Sequence, residues 1–210
     1  MPINLKNLNS IVEEISTIND CSLMIVTKNR DVEDINTLIK EKCYLFGENK
    51  VQEAKSKFSE ITDKNVKLHL IGPLQTNKIK NALKIFDTIQ TLDREKLIIE
   101  ISKYLNSSKE YKTKDFYIQV NIGNEEQKAG VAPANTKTLY ELALENNLKI
   151  NGLMCIPPKD KNPSFYFNEM VNLRDSVNKN LKLSMGMSSD YQEAIQSNSN
   201  LIRIGSKIFQ

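Results

Sequence analysis

Short apolar runs recur eight times along the chain, and segments of helical periodicity separate them. The runs begin near Ser22, Cys43, Leu68, Thr88, Phe116, Ile150, Leu183 and Leu201. Strands that alternate with helices pair in parallel, because each helix returns the chain to the same edge of the sheet. Eight such units in 210 residues predict a single α/β domain, residues 1–210, with a (β/α)8 TIM barrel. A doubly wound open sheet is the alternative.

The amino-terminal segment has the pattern of a helix and lacks that of a targeting signal. Apolar residues recur at helical spacing at Leu8, Ile11, Val12 and Ile15. The first residues do not show the basic and then apolar pattern of a secretion signal. We therefore expect an extra helix that plugs or flanks the bottom of the barrel.

Composition and charge are typical of a soluble globular protein. The net charge is +3, and the lysines form no basic stripe with interleaved aromatic residues, which argues against nucleic-acid binding. No apolar stretch reaches the length of a membrane span. Cys21, Cys43 and Cys155 lack the spacing of a metal or redox site and are interpreted as buried, reduced thiols. These features predict a cytoplasmic protein that binds neither membrane nor metal.

Lys28 closes the first predicted strand, Ser22–Lys28, whereas lysines precede five of the other runs. In a barrel of parallel strands the carboxyl ends carry the chemistry and the amino ends serve stability. Lys28 is therefore expected on the functional face. There an amine held against an apolar core can lose its proton and attack a carbonyl carbon. The alternative is a lysine that only reaches into solvent.

Two segments near the carboxyl end, Ser184–Asp190 and Arg203–Ser206, fit a phosphate site. They follow the seventh and eighth runs, and TIM barrels commonly bind phosphate at the loops after those strands. Glycine lets the backbone approach an anion closely, and exposed N–H groups point at it. The hydroxyls of Ser188 and Ser206 add donors. Each segment alone also fits a helix cap, but their joint position on the two expected loops favours phosphate.

Arg203 lies within an otherwise apolar run, and a buried guanidinium needs a partner. That partner is either a carboxylate such as Glu48 or an acceptor on a ligand. An amine nucleophile, a phosphate site and this arginine together fit a phosphorylated aldehyde. Pyridoxal 5′-phosphate (PLP) is such a compound, with Lys28 as its Schiff base and Arg203 facing the pyridine nitrogen. A sugar-phosphate aldolase with a Schiff-base lysine leaves Arg203 unexplained.

Four segments resemble the signature segments of the pyridoxal phosphate homeostasis proteins: Phe46–Glu53, His69–Lys78, Ser184–Asp190 and Arg203–Ser206. Weaker matches are Val26–Lys28, Gln119–Ile122 with Lys128 and Gly130, and Gly152–Met154. The resemblance implies a barrel of the alanine racemase amino-domain type with the cofactor on Lys28. It also implies that Arg203 meets the pyridine nitrogen and that Asn49 lines the pocket. The phosphate would be held by Ser188, Gly205 and Ser206.

The same resemblance implies a function in PLP homeostasis without established catalysis. Members of the family are thought to buffer the cofactor and pass it to apo forms of PLP-dependent enzymes. We expect such a carrier here, acting as a monomer. The rival is an amino-acid racemase, which needs a second proton donor from an additional β-domain; only Ser206–Gln210 follow the last run. Tyr191 is a local substitute that its helix position disfavours.

Overall fold

The computed structural model describes residues 3–18 and 20–209. Its strands are β1 Ser22–Val26, β2 Leu45–Glu48, β3 Lys67–Leu70, β4 Thr88–Leu92, β5 Asp115–Val120, β6 Ile150–Cys155, β7 Lys182–Met187 and β8 Leu201–Ile204. Each strand pairs in parallel with the next, and β1 pairs with β8, so the sheet closes into a barrel. The closed order confirms the predicted TIM barrel and excludes the open sheet.

In the described part of the chain, seven helices follow strands β1 to β7 in turn, and one helix precedes β1. The helices are α1 Leu5–Ser16, α2 Val32–Lys40, α3 Val51–Phe58, α4 Ile79–Ile85, α5 Glu95–Ser107, α6 Thr136–Glu145, α7 Pro163–Asn178 and α8 Tyr191–Gln196. Short 3₁₀ turns, Thr76–Lys78 and Pro133–Asn135, lead into α4 and α6. None of the helices in the described ranges is long and apolar enough to span a membrane.

Helix α1 is the extra helix that the sequence predicts. The side chain of Asn4 caps it by accepting from the backbone N–H of Asn7 at 3.0 Å. The Asn7 side chain donates to the carbonyl of Lys207 at 2.9 Å, just beyond β8. The first turn of α1 therefore lies on the carboxyl side of the strands. Further along α1, Val12 lines a cavity with Ser22 and Leu45, at the amino ends of β1 and β2, so this part of the helix flanks the barrel bottom as expected.

Buried aromatic side chains fill the space between sheet and helices. Phe46 of β2 is fully buried, and its ring centroid lies 5.8 Å from that of Phe58 in α3. Burying an aromatic side chain of this size contributes about 2 kcal/mol or more. Side chains alternate between the two faces of a strand, so Phe46 and Glu48 of β2 face the helix layer and Gly47 between them faces the barrel interior.

Strand β1 ends at Val26, two residues before Lys28, although the sequence predicted that Lys28 would close the strand. A turn explains the difference, because the N–H of Arg30 donates to the carbonyl of Thr27 at 3.1 Å. Asn29 takes the left-handed conformation with φ of 58°. Lys28 thus lies in a tight turn at the carboxyl end of the strand.

The cysteines differ in part from their predicted burial. All three are free thiols, but only Cys155 is buried, while Cys21 and Cys43 are half-buried. Burial raises the pKa of the Cys155 thiol to about 12. Cys43 also lies outside β2, since its N–H donates to the carbonyl of Leu38 in the turn that ends α2.

Candidate cofactor site

A cavity of about 630 Å³ opens at the carboxyl ends of the strands. All six residues that the sequence predicted as site residues line it: Lys28, Asn49, Ser188, Arg203, Gly205 and Ser206. They come from the ends of β1, β2, β7 and β8, which lie side by side in the barrel. The fold thus brings together residues that are up to 178 positions apart in the numbering from Lys28 to Ser206.

Side-chain alternation directs Lys28 into the cavity. Val26 and Lys28 both line the cavity wall, while Thr27 between them points to the opposite side and is fully buried. Lys28 is exposed, so the expectation of an amine held against an apolar core is wrong. Its position on the functional face is as predicted.

Asn49 reaches the cavity because β2 and β3 end in close contact. A Cβ atom added to Gly72 would lie 2.1 Å from the carbonyl oxygen of Asn49. Glycine is therefore required at this position for the two backbones to approach. Ile71, Gly72 and Pro73 then form the neighbouring part of the wall.

Ser188 lies at the meeting point of the two loops that the sequence assigned to phosphate. Its Oγ accepts from the backbone N–H groups of Gly205 at 3.3 Å and Lys207 at 3.4 Å. Two donors from the loop after β8 therefore converge on one oxygen. We call Ser188, Gly205 and Ser206 the phosphate cup.

The alternative in which the segment 188–190 caps helix α8 holds for Asp190, although no side-chain hydrogen bond caps the helix. Asp190 is the residue at the cap position, and its carboxylate accepts from the N–H of Met187 at 2.6 Å. The turn before α8 is therefore closed by Asp190, and Ser188 is left to face the loop after β8. Gly186 permits this path with φ of 94°, where an added Cβ would lie 2.5 Å from that of Ala194.

Arg203 is 4% exposed and forms part of the cavity wall. Its guanidinium donates to Ser184 Oγ at 2.9 Å and to the carbonyl of Cys155 at 2.8 Å. Burial lowers the pKa of this guanidinium. Within residues 3–18 and 20–209, no carboxylate forms a salt bridge with Arg203.

Glu48 is not the partner of Arg203 that the sequence left open. Its side chain lies on the same face of β2 as Phe46 and points into the helix layer, where its Oε1 lies 2.6 Å from Lys57 Nζ. The hydroxyl of Thr27 donates to the same oxygen at 2.7 Å. Gly47 and not Glu48 faces the interior, so the Glu48 carboxylate points away from Arg203.

A line of hydrogen bonds crosses the barrel interior behind Arg203. Ser184 Oγ donates to Gln90 Oε1 at 2.7 Å, and Gln90 Nε2 lies 2.9 Å from His69 Nδ1. Strands β4 and β7 are not neighbours, so the bond between Ser184 and Gln90 spans the interior. Burial lowers the pKa of His69 to about 4, which keeps its ring neutral near pH 7.

Comparison with known proteins agrees with this arrangement. A scan against protein-family models finds no match. The pyridoxal phosphate homeostasis protein of Aquifex aeolicus is 41% identical over 174 residues, which cover 79% of this chain and 75% of that protein. The proteins of that name from Buchnera aphidicola and Haemophilus influenzae are 35% and 34% identical and cover 90% and 97% of this chain. The alignments cover 85% of the Buchnera protein and 93% of the Haemophilus protein. The chain belongs to the pyridoxal phosphate homeostasis protein family.

Solved structures show the same fold over nearly the whole chain. PipY of Synechococcus elongatus, solved with PLP bound, is 28% identical with a TM-score of 0.84, covering 98% of this chain and 99% of PipY. Its structure without PLP has a TM-score of 0.86 at 29% identity, with the same coverage. Alanine racemase of Clostridium difficile is 16% identical with a TM-score of 0.74, covering 99% of this chain and 57% of the racemase. The racemase likeness confirms the fold of the alanine racemase amino domain.

In this member of the homeostasis family, the loop after β5 forms a wall that the predicted site did not include. Gln127, Lys128 and Ala129 of this loop line the cavity. The Asn121 side chain holds the loop, donating to the carbonyl of Glu125 at 2.7 Å and accepting from its N–H at 3.1 Å. The weaker match at Gln119–Ile122 with Lys128 was a signal for this loop, and the length of the segment between β5 and α6 is a second one.

Proposed function

We propose that this chain binds PLP in the cavity and serves in PLP homeostasis as a carrier or buffer. The observation that supports it most directly is Arg203, a buried cation in the cavity wall with no carboxylate partner among the described residues. Its hydrogen bonds go to the neutral groups of Ser184 and Cys155, and no carboxylate of the described residues lies within salt-bridge distance, so an acceptor on a ligand accounts for its presence. The pyridine nitrogen of PLP is such an acceptor.

The donor set of the cavity fits the other functional groups of PLP. The phosphate cup offers the hydroxyls of Ser188 and Ser206, and Gly205 lets the backbone approach a phosphate closely. Lys28 supplies an amine at the end of β1, the strand that pairs with β8, and Asn49 adds a polar contact. When bound, PLP contributes an aldehyde that reacts reversibly with amines.

Lys28 is proposed to hold PLP through a covalent imine (Schiff base) bond. In its neutral form the amine supplies the electron pair of the new carbon–nitrogen bond, and the aldehyde oxygen leaves as water. The bond is reversible by the same route, which suits storage and release. Arg203 donates a hydrogen bond to the ring nitrogen and so keeps that nitrogen unprotonated, which weakens the electron sink that catalysis needs.

A carrier is favoured over a racemase by the lining of the cavity. Tyr191 is outside this lining; its hydroxyl donates to Glu14 of α1 at 2.8 Å, and its pKa is raised to about 12 by burial and by that contact. It is therefore poorly placed as a second acid. We further propose that the carrier acts as a monomer, since one chain supplies the whole wall described above, and that apo PLP-dependent enzymes are its clients.

Loading the purified protein with PLP tests the proposal. The protein should gain visible absorbance, and borohydride should fix the cofactor on the peptide that contains Lys28, as read by mass spectrometry. Direct transfer is tested with an apo PLP-dependent enzyme. This enzyme should be reactivated faster when it is mixed with the loaded protein than when a membrane that passes only free PLP separates the two. A protein that stays colourless would refute PLP binding. Exchange of an amino acid α-proton in deuterated water would favour the racemase.

A further inference from the structure

A buried ion pair lies directly behind the turn that carries Lys28. Lys57 of α3 is 2.6 Å from Glu48 Oε1 and 2.9 Å from Glu53 Oε1. The side chains of Lys57 and Glu48 are only 9% and 0% exposed. All three groups belong to the helix layer, so they take no part in the cavity wall.

The same groups hold the backbone on both sides of Lys28. Lys57 Nζ donates to the carbonyl oxygen of Thr27 at 2.7 Å, and the Thr27 hydroxyl donates to Glu48 at 2.7 Å. On the other side, the N–H of Asn29 donates to Glu53 Oε1 at 2.6 Å. We call Lys57, Glu48 and Glu53 the Lys57 clamp. It fixes the residue before Lys28 and the residue after it.

Stability alone does not explain a buried pair of this kind. Removing two charges from water is expensive, and well-packed apolar residues often replace a buried ion pair without loss of stability. The cost is visible at Glu48, since burial raises the pKa of its carboxyl against the opposing effects of Lys57 and Thr27. Its Oε2 has no hydrogen-bond partner in the described part of the chain. The contacts of the pair, by contrast, all converge on the Lys28 turn.

The turn is a place where small backbone rotations have large effects. Asn29 has φ of 58°, in the left-handed region that non-glycine residues seldom adopt. A rotation at Thr27 or Asn29 swings the Lys28 side chain relative to the cavity. Reactions between two groups depend steeply on their relative position, and a misplacement of 1 Å can reduce a rate by roughly 100-fold.

We infer that Lys57 is a positioning residue, which acts through Thr27 and the clamp carboxylates to fix Lys28 where its amine reaches the PLP aldehyde. This inference rests on the proposed function and deepens it. On this inference, noncovalent binding of PLP and formation of the covalent bond depend on different residues. The phosphate cup and Arg203 hold the phosphate and the ring, while the Lys57 clamp affects only the covalent bond.

Lys57→Met tests the inference, because it keeps the aliphatic stem and removes the three contacts of the amine. The matched control is Lys55→Met, on an exposed position of the same helix. Two ligands are compared: PLP, and pyridoxamine 5′-phosphate, which has the same ring and phosphate but no aldehyde. Covalent attachment is followed by visible absorbance and by the mass of the borohydride-fixed protein, and pyridoxamine phosphate binding by calorimetry.

Lys57→Met is expected to slow attachment of PLP by about 10-fold or more, by misplacing the amine. Its affinity for pyridoxamine phosphate should stay within about 2-fold of the unmodified chain, and Lys55→Met should match the unmodified chain with both ligands. Unchanged attachment in Lys57→Met would overturn the inference. So would a parallel loss of both ligands, which is the result of a merely structural role.

A second variant keeps the test decisive if Lys57→Met does not fold. Glu53→Ala retains the pair of Lys57 with Glu48 and removes the acceptor of the Asn29 N–H together with the contact between Glu53 and Lys57. The same selective loss of attachment, smaller in size, is expected; attachment at the unmodified rate would count against the inference. If the unmodified chain itself is not fixed at Lys28, the proposed function fails, and with it the positioning role. A defect confined to the variants leaves the proposed function intact.

Discussion

Arg203 Nη1 donates a 2.9 Å hydrogen bond to Ser184 Oγ, and both side chains are buried. The hydrogen-bond chain continues from Ser184, whose hydroxyl donates to Gln90 Oε1 at 2.7 Å. One serine hydroxyl therefore orients the guanidinium and links it to the polar interior of the barrel. The direction of Arg203 depends on residues that do not touch the cavity.

Ser184→Ala should weaken the site and the fold together. It leaves an N–H of Arg203 and the oxygen of Gln90 without their partner, which costs about 1–3 kcal/mol of unfolding free energy. Affinity for PLP and for pyridoxamine phosphate should fall alike, because Arg203 contacts the ring in both. Denaturant unfolding and calorimetry measure the two effects. Ser176→Ala, at an exposed position of α7, is the control; equal affinities in both variants would show that Ser184 does not orient Arg203.

Lys28→Ala should abolish covalent attachment and retain weak binding. No borohydride-fixed adduct should form, while pyridoxamine phosphate should bind as before, since the phosphate cup and Arg203 are unchanged. Intact mass after reduction and calorimetry provide the two readouts. Lys42→Ala, an exposed lysine before β2, should behave as the unmodified chain. An adduct that persists in Lys28→Ala would assign the covalent bond to another lysine.

Ser188→Ala should reduce recognition of the phosphate and not of the ring. A hydrogen bond to a charged group contributes about 1.5–3 kcal/mol, so PLP affinity should fall roughly 10-fold or more. Pyridoxal, which lacks the phosphate, should bind the variant and the unmodified chain equally. Competition by inorganic phosphate offers an independent check, and it should be weaker in the variant. An equal loss for pyridoxal and PLP would contradict a phosphate cup at Ser188.

The alternation of strands and helices could be predicted from the sequence because it depends on local pattern. Parallel strands buried on both faces read as short apolar runs, and each helix shows its own apolar stripe. The six site residues followed from this alternation and from the family resemblance, because carboxyl ends of parallel strands share one face. Their contacts with a cofactor stay predictions.

The inward face of β2 and the contacts across the barrel could not be predicted in the same way. Leu45–Glu48 shows no apolar and polar alternation, so nothing local indicates that Gly47 faces inward and Glu48 outward. The bond between Ser184 and Gln90 joins strands that are not neighbours, and it depends on the register of the whole barrel. The turn at Lys28 is likewise set by Lys57, which lies 29 positions further on.

His69 should make the stability of the fold depend on pH. Burial lowers its pKa from 6.5 to about 4, so between these values the unfolded chain binds a proton that the folded chain excludes. Stability from this residue is therefore present above about pH 6.5 and is lost as the pH falls through 4, by roughly 3 kcal/mol in all. His69→Gln removes the titrating ring and retains an acceptor for Gln90. Urea unfolding at a series of pH values should show a smaller fall in the variant. Parallel curves for the two proteins would show that His69 titrates alike in the folded and unfolded states.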